Sequence, residues 1–212
     1  MGIRLPSRAQ KKDTTLTRAQ VDLLVENCRR YRSLVAFLAF TGVRWGEAVA
    51  LTVGDIDLGA SRARIEKTAS TVSGRVVVGE TKTSQARTIA IPAPAMRLLA
   101  PELRGKLPSA LIWVNATGGY VTSPSRRSWW HSAVDACRAL DGGFPDVTPH
   151  DLRHAAASML VSMGASVMVV QRQLGHASAK MTLDRYSHLF DGDLDAVLSA
   201  YENAPSKLRQ KR

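Results

Sequence analysis

Residues suited to proton transfer and to phosphate binding lie close together in the segment PHDLRH, residues 149–154. His150 and His154 are four positions apart, and Arg153 lies between them. Imidazole exchanges protons near neutral pH, and a guanidinium binds phosphate oxygens through a planar pair of N–H donors. Such a group could hold a metal ion, bind an anion, or catalyse a reaction at a phosphate.

A zinc site is the first of these interpretations. His150 and His154 have the spacing of a metal-binding pair on a helix, and His176 or His188 could supply a third ligand. The glutamate of the H-E-x-x-H motif is missing, however, and Arg153 would place a fixed positive charge beside the cation. The sequence therefore favours anion binding or phosphate chemistry over a metal centre.

The helical periodicity of this segment predicts which way its side chains face. On a helix that advances about 100° per residue, His150, Arg153 and His154 share one side. The apolar side chains occupy the opposite side: Leu152, Ala156, Met159, Leu160 and Met163. We therefore expect the basic trio to line a surface or a cleft rather than the core.

The first half of the chain predicts helices followed by a small sheet. One helix is capped near Thr15 or Thr17, a mostly buried helix ends at Gly42, and a short helix begins in WGEAVALTV. Three short β-type runs follow, ARIEKTA, GRVVVGE and RTIAIP. They predict a small three-stranded antiparallel sheet.

The second half of the chain returns to helical patterns. From Thr148 onward we predict one helix that ends at Gly164, a second that ends at Gly175 and a third that begins near Ser178. A detached C-terminal tail helix, DLDAVLSAYE, follows an Asp-Gly pair. Helices, a small sheet and more helices indicate an α+β fold, mostly α.

The net charge of the 212-residue chain is +11, from 29 basic and 18 acidic residues. Eight positive charges lie in two end segments without an acid: Arg4, Arg8, Lys11, Lys12, Lys207, Arg209, Lys211 and Arg212. Basic tails of this kind contact nucleic acid, or they are solvated segments that keep a protein soluble. Charge alone leaves both interpretations open.

Cysteine usage and hydropathy bear on the compartment. Cys28 and Cys137 lie in separate helical patterns, which fits neither a disulfide framework nor a zinc knuckle. No apolar run approaches the roughly 18 residues of a membrane span, and the first residues lack the apolar core of a secretory signal. We expect a cytoplasmic, nucleoid-associated protein with reduced cysteines and no membrane partner.

Five segments give the chain a close resemblance to the catalytic domain of the tyrosine recombinases, the phage integrase family. They are TGVRWGEAVAL at 41–51, ETKTSQARTIAIP at 80–92, HDLRH at 150–154, LGHAS at 174–178 and TLDRYSHL at 182–189. Each one alone is weak evidence, but five in the family's order with plausible gaps are specific. The resemblance covers residues from about 16 to 189 and implies an integrase-type catalytic domain.

The resemblance implies a complete set of catalytic residues. These are Arg44, Lys82, His150, Arg153, His176 and Tyr186, with Tyr186 as the nucleophile. Glu47 is expected to orient the first arginine, and His154 is expected to play a supporting role. No metal ion and no cofactor are implied.

These residue types suit the cleavage of a phosphodiester. The two arginines would stabilise the charge that develops on the nonbridging oxygens, and His176 would add a neutral hydrogen bond. Tyr186 would attack the phosphorus with His150 as its base, because a free tyrosine keeps its proton at neutral pH. Lys82 would protonate the leaving 5′ oxygen.

The function implied is site-specific DNA recombination of the phage or prophage type, integration or excision, through a 3′-phosphotyrosine intermediate. The implied partners are double-stranded DNA with attachment-type sites, further copies in a homotetramer on DNA, and accessory DNA-bending or directionality factors. Without DNA a monomer is expected. The alternatives are a type IB topoisomerase-like enzyme, which uses similar groups, and a noncatalytic DNA-binding module, which needs no nucleophile.

The resemblance also implies a division of the chain. Residues 1–15 are expected to be a basic tail or linker, residues 16–190 the catalytic domain, and residues 191–212 a tail helix and basic end that is exchanged between subunits. Family members usually carry a core-binding domain before the catalytic domain. We therefore expect either a domain cut out of a longer protein or a short natural recombinase similar to the fimbrial-switch invertases.

Overall fold

The computed structural model describes residues 15–80, 86–125 and 128–190. Three predicted features lie outside the described residues: the basic N-terminal tail up to residue 14, Lys82, and the C-terminal tail helix with the basic end of the chain. Within the described ranges, no helix is long and apolar enough to cross a membrane.

Helix α2 (Arg32–Thr41) forms the centre of the core, and its residues 33–41 are all buried. Its sequence is apolar on every side, as expected of a helix surrounded by other elements. The elements packed around it are α1 (Arg18–Asn27), α3 (Trp45–Val49), α4 (Ala93–Leu103) and α6 (Asp151–Ser162). Helix α5 (Trp129–Leu140) packs against α1.

The predicted boundaries of the first helices are confirmed. Thr17 caps α1, because its hydroxyl accepts the Gln20 N–H while the Gln20 side chain accepts the Thr17 N–H. Gly42 ends α2 with a φ of 70°. This left-handed conformation favours glycine and turns the chain directly into the segment that carries Arg44.

The strands form two small sheets rather than one. Strands β1 (Ile56–Asp57), β2 (Arg62–Ile65) and β5 (Arg87–Ala90) form a three-stranded antiparallel sheet, in the order β1-β2-β5. Strands β3 (Lys67–Val72) and β4 (Arg75–Glu80) form a separate antiparallel ribbon.

The predicted composition of the sheet was therefore wrong, although its size and antiparallel character were right. The run ARIEKTA is interrupted at Glu66. Its first half pairs with β5 and its second half pairs with β4, so the three predicted runs do not share one ladder. The missing third strand, β1, is only two residues long and carries too little pattern to be recognised.

Three helices follow one another at the C-terminal side of the described chain: α6, α7 (Val167–Leu174) and α8 (Ala179–Tyr186). A 3₁₀ turn, Ser187–Leu189, comes after α8. The predicted ends are confirmed, since Gly164 and Gly175 have φ values of 79° and 73° and the Ser178 hydroxyl caps α8. The architecture confirms the α+β fold, mostly α.

The two cysteines are free and buried in the core. Burial raises the pKa of the Cys28 thiol and of the Cys137 thiol to about 11. Both thiols are therefore protonated and unreactive at neutral pH.

Candidate active site

Three of the residues singled out in the sequence line one cleft of about 170 Å³. Arg44 reaches it from the residue before α3, and His150 and Arg153 reach it from the start of α6. The walls are completed by Val43, Trp45, Ser123, Thr148 and Pro149. The fold thus brings two guanidinium groups and an imidazole from distant parts of the chain to one concave surface.

The position of α3 depends on a glycine. A Cβ at Gly46 would lie 2.6 Å from the carbonyl oxygen of Ala69, which is closer than any side chain tolerates. Glycine therefore lets α3 pack directly on the β3–β4 ribbon. This contact fixes the turn that holds Arg44 at the mouth of the cleft.

Arg153 is buried, with only 5% of its surface exposed. Its Nη1 donates to the carbonyl oxygens of Gly42, at 2.7 Å, and Leu174, at 2.8 Å. Burial, followed by the charge of Arg44, lowers the pKa of Arg153 to about 10, so the guanidinium remains charged at neutral pH. Two backbone carbonyls therefore aim this charge into the cleft.

The prediction that the basic trio lines a surface or a cleft rather than the core is confirmed for His150 and Arg153, which line the cleft, and was wrong for His154. His154 is 3% exposed and Arg153 is nearly as buried, whereas His150 is exposed. The side of α6 opposite its apolar stripe is covered by the end of α2, the end of α7 and Tyr186 of α8. These neighbours supply polar partners, which makes the burial of a basic face favourable.

Glu47 contacts Arg44 as expected of a residue that orients it. Its Oε1 accepts from Arg44 Nη1 at 3.0 Å, and its Oε2 accepts from the Arg44 backbone N–H at 3.0 Å. The Arg44 side chain is 38% exposed, whereas that of Glu47 is 2% exposed. A buried anion thus anchors a half-exposed cation whose far side faces the cleft.

Arg87, at the start of β5, is part of the same network and was missed in the sequence. It binds Glu47 with both terminal nitrogens, at 3.1 and 2.6 Å, and Nη2 also donates to the Leu174 carbonyl oxygen at 3.2 Å. Burial alone would raise the pKa of the Glu47 carboxyl, but the hydrogen bonds and charges of Arg87 and Arg44 outweigh it and lower that pKa. The Leu174 carbonyl therefore joins Arg87 to Arg153.

The turn that carries His176 is packed on Arg87. A Cβ at Gly175 would lie 2.4 Å from Arg87 Cζ, so only glycine allows this approach. Gln173 adds a second link, because its side chain accepts from the Ala90 N–H at 2.9 Å and donates to the Ala90 oxygen at 2.9 Å. Strand β5 and the end of α7 are thus held together by side chains from both elements.

His176 and His150 are both uncharged at neutral pH. Desolvation, followed by the charges of Arg153 and Arg44, lowers the pKa of His176 to about 4. Desolvation, followed by the charges of Arg153 and Arg185, also lowers the pKa of His150. His176 Nδ1 lies 2.8 Å from the hydroxyl of Thr182, a buried partner that the sequence did not reveal.

Tyr186, the candidate nucleophile, is buried at the end of α8. Its hydroxyl lies 3.0 Å from His154 Nδ1. Its ring is stacked on that of His176, with centroids 6.2 Å apart and an interplanar angle of 13°. The His150 ring contacts His154 edge-on, with centroids 5.1 Å apart. His154 and His150 therefore connect the tyrosine to the cleft, while His176 packs on the tyrosine ring.

Lys82 lies outside the described residues, in the segment between β4 and β5. His188, the other residue considered as a metal ligand, is exposed on the 3₁₀ turn. In the part of the chain that the structure describes, no group of three histidine, cysteine or acidic side chains could hold a metal ion. The chemistry of the described site is that of guanidinium, imidazole and phenol groups.

This set of groups suits a reaction at a phosphate. The cleft offers positive charge from two arginines that cannot lose their protons under ordinary conditions. His150 and His176 are neutral, so each has one N–H donor and one acceptor nitrogen. A phenol beside them is a nucleophile once its proton is removed.

Residues 14–192 match the model of the Phage integrase family. Among curated relatives, the tyrosine recombinase XerC of Bifidobacterium longum is 31% identical over 198 residues, which cover 87% of this chain and 48% of that protein. The tyrosine recombinase XerD of Mycobacterium tuberculosis is 36% identical over 162 residues, which cover 72% of this chain and 46% of that protein. The chain spans about half the length of these relatives.

Two solved structures show the same fold. The Tn1549 transposon integrase in complex with a circular intermediate DNA has a TM-score of 0.78 and 19% identity, covering 91% of this chain and 68% of that chain. The catalytic domain of bacteriophage HP1 integrase has a TM-score of 0.59 and 21% identity, covering 93% of this chain and 99% of that chain.

Proposed function

The chain belongs to the phage integrase family of tyrosine recombinases, and from this premise we propose that it cuts and rejoins DNA at specific sites through a covalent link to Tyr186. The observation that carries the proposal is the placement of Tyr186. Its hydroxyl lies 3.0 Å from His154, and His150, which contacts His154, lines the cleft of Arg44 and Arg153.

In the proposed cleavage step, the scissile phosphate occupies the cleft. The guanidinium groups of Arg44 and Arg153 bind its nonbridging oxygens and stabilise the charge that develops there. The neutral ring of His176 adds an N–H donor if its Nδ1 accepts the Thr182 hydroxyl proton, which leaves the proton of the ring on Nε2. The two buried carbonyl contacts of Arg153 keep its position fixed before the substrate arrives.

The bonds and protons of this step balance within the proposed set. The Tyr186 oxygen forms a bond to phosphorus while the bond from phosphorus to the 5′ oxygen breaks. The Tyr186 proton goes to His150, which is neutral and can accept it, and the leaving 5′ oxygen takes a proton from Lys82. The product is a 3′-phosphotyrosine and a free 5′ hydroxyl, and attack by another 5′ hydroxyl reverses the step.

The proposed partners follow from charge and from the relatives. Double-stranded DNA with attachment-type sites is the substrate, which a net charge of +11 favours electrostatically. We further propose a homotetramer on DNA and a monomer without it, with accessory DNA-bending or directionality factors. Residues 16–190 form the catalytic domain in this proposal, flanked by a basic segment, 1–15, and by a tail, 191–212, that is exchanged between subunits.

Covalent capture from a library of duplexes tests the proposal and identifies the target site in one experiment. Duplexes of random sequence, each with a nick that lets a short cleaved fragment diffuse away, are incubated with the protein, and complexes that survive SDS are sequenced. Enrichment of a defined site is the expected result. No adduct, with DNA still bound, would support a noncatalytic binding module instead.

Strand exchange then separates recombination from topoisomerase activity. Two copies of the captured site are placed on one plasmid, and a matched plasmid carries one intact and one scrambled site. Recombination is expected only with two intact sites. Relaxation of supercoils on both plasmids, without exchange, would assign the chain to type IB topoisomerase-like chemistry.

A further inference from the structure

We propose that His154 acts directly on the Tyr186 oxygen as a fixed N–H donor, and that Arg185 is the positioning residue that holds His154 in the donor tautomer. This inference rests on the proposed function of Tyr186 as the nucleophile. It assigns to His154 a hydrogen bond to the nucleophile during cleavage, whereas His150 remains the proposed base.

Both ring nitrogens of His154 have a partner on α8. Nδ1 lies 3.0 Å from the Tyr186 hydroxyl, and Nε2 lies 3.1 Å from Arg185 Nη2. Arg185 and Tyr186 are consecutive residues, so the end of one helix contacts both edges of the ring. His154 itself is 3% exposed and is fixed on α6.

The chemistry of arginine fixes the tautomer. A guanidinium has only N–H donors and no acceptor, so Nε2 of His154 must be the acceptor in its contact with Arg185. A neutral imidazole with an acceptor at Nε2 carries its proton on Nδ1. That proton faces the Tyr186 oxygen, and His154 therefore donates to the hydroxyl.

A donor at this position favours the ionised tyrosine. Hydrogen bonds to a charged form stabilise it, and a preorganised N–H beside a developing phenolate does so without rearrangement. His154 cannot take the Tyr186 proton, because its acceptor nitrogen is occupied by Arg185. Among the residues that the structure describes, the charged and titratable groups near Tyr186 include His154 and Arg153 on α6, His176 after α7 and Arg185 on α8.

A packing role for His154 makes a different prediction. A buried histidine that only fills space could instead accept a hydrogen bond from the Tyr186 hydroxyl at Nδ1, with its own proton on Nε2 and no hydrogen bond from Arg185. The two roles therefore differ in the position of one proton and in which substitution restores cleavage.

The tautomer can be measured on the full chain without DNA. We expect the ¹⁵N signals of His154 to show the Nδ1–H tautomer between pH 6 and 8, with assignment through the loss of these signals in His154→Asn. Arg185→Leu should release the ring and increase the Nε2–H form, whereas Lys180→Leu, an exposed residue of the same helix, should not. An Nε2–H tautomer in the unmodified protein would overturn the proposal.

Cleavage of the captured site supplies the second readout. Asparagine carries an N–H donor about as far from its backbone as Nδ1, whereas phenylalanine fills the space without a donor. We expect His154→Asn to stay within roughly tenfold of the unmodified rate and His154→Phe to lose about 10²–10³-fold, the usual effect of losing one such donor. DNA affinity, measured in parallel, should be unchanged in both variants.

The outcomes distinguish this inference from the function on which it rests. Equal cleavage by His154→Asn and His154→Phe, with Tyr186→Phe inactive, would overturn the donor role and leave the proposed function intact. An SDS-resistant adduct formed by Tyr186→Phe would instead overturn the proposed function, while the tautomer measured by NMR would still stand.

Discussion

At the scale of single residues, the site is built so that its arginines are charged while His150 and His176 are neutral. Arg153 and Arg44 lie close enough to both imidazole rings to oppose their protonation. A neutral imidazole can both accept a proton and donate one, whereas an imidazolium can only donate. The positive charge of the cleft thus lies on the two arginines that are proposed to bind phosphate.

This charge pattern predicts how stability depends on pH. The pKa of His176 is about 4 in the folded chain, below its ordinary value of 6.5. Between these values the unfolded chain binds more protons, so the free energy of unfolding should fall as the pH drops from 6.5 towards 4. The change in the free energy of unfolding with pH should stay below about 1.4 kcal/mol per pH unit, which is the limit for one proton, because the His176 ring is partly exposed.

Urea denaturation between pH 7 and pH 5 measures this effect in a window where Glu47, whose pKa is lowered from 4.5, stays ionised. His176→Gln should reduce the slope, and the residual slope should reflect His150, whose pKa is lowered in the same direction. A slope that is the same with and without His176 would contradict the charge assignment.

Arg87 is the residue whose importance the sequence concealed. Its side chain is 14% exposed, and it pairs with a carboxylate that is 2% exposed. Removing one partner of a buried pair typically costs about 3–5 kcal/mol, so Arg87→Met should destabilise by about 3 kcal/mol, since Arg44 still pairs with Glu47. Arg87→Lys should recover only part of the lost stability, because an ammonium group cannot reproduce the planar pair of donors that binds Glu47 and the Leu174 carbonyl.

The control is an arginine in the neighbouring strand. Arg64 pairs with Glu66 at the surface, with 66% of its side chain exposed, so Arg64→Met should cost less than about 1 kcal/mol. Both variants are compared by chemical denaturation. Equal losses would show that the Arg87 contacts contribute no more than a surface ion pair.

At the scale of elements, the ends of helices place the catalytic candidates. Gly42 ends α2 just before Arg44, and Gly175 ends α7 just before His176. Both glycines have a positive φ and lie against other elements, so each fixes a direction of the chain and allows a close approach. One helix end thus places Arg44 at the cleft, and the other places His176 against Tyr186.

Two glycines with similar backbone angles separate these two effects. Gly164, with a φ of 79°, has open space at its Cβ position, whereas a Cβ at Gly175, with a φ of 73°, would contact Arg87 at 2.4 Å. Gly164→Ala should destabilise by about 1–2 kcal/mol through conformation alone. Gly175→Ala should add about 1–3 kcal/mol for the steric conflict. Thermal or chemical denaturation that finds equal losses would contradict the packing of Arg87 on this turn.

Sequence signals within one helical turn predicted the ends of these elements well, whereas contacts between distant segments could not be predicted. The caps at Thr17, Gly175 and Ser178 depend on residues within one turn, so their positions were correct. The pairing of β2 with β5 depends on residues more than 20 positions apart, and the pattern of each strand does not encode its partner.

The candidate site shows the same division. The family resemblance of five ordered segments selected Arg44, His150, Arg153, His176 and Tyr186. The structure places the first three of these around one cleft and stacks His176 on the buried Tyr186. The contacts of Arg87, Arg185 and Thr182 could not be predicted, because each depends on which helix or strand lies opposite. The periodicity of α6 also misjudged His154, since a polar side chain can be buried when neighbours supply its hydrogen bonds.

At the scale of the whole molecule, a helical core surrounds α2 and the cleft opens where the C-terminal helices meet the N-terminal ones. Helix α2 fills the interior. The residue before α3 and the start of α6 line the cleft, and α8 places Tyr186 beside His154. Substrate binding in this cleft would therefore depend on how the N-terminal helices pack against the C-terminal ones. The fold therefore accounts for a site composed of residues from the beginning and the end of the described chain.

The assignment of Tyr186 as the nucleophile is tested most directly by identifying the residue that becomes joined to DNA. The captured nicked duplex is incubated with the protein in the presence of a chelator, the SDS-resistant complex is digested, and the DNA-linked peptide is sequenced by mass spectrometry. We expect a 3′ phosphate on Tyr186, formed without added metal, and no adduct with Tyr186→Phe. A link to any other residue, or an adduct that persists in Tyr186→Phe, would contradict the assignment of the nucleophile.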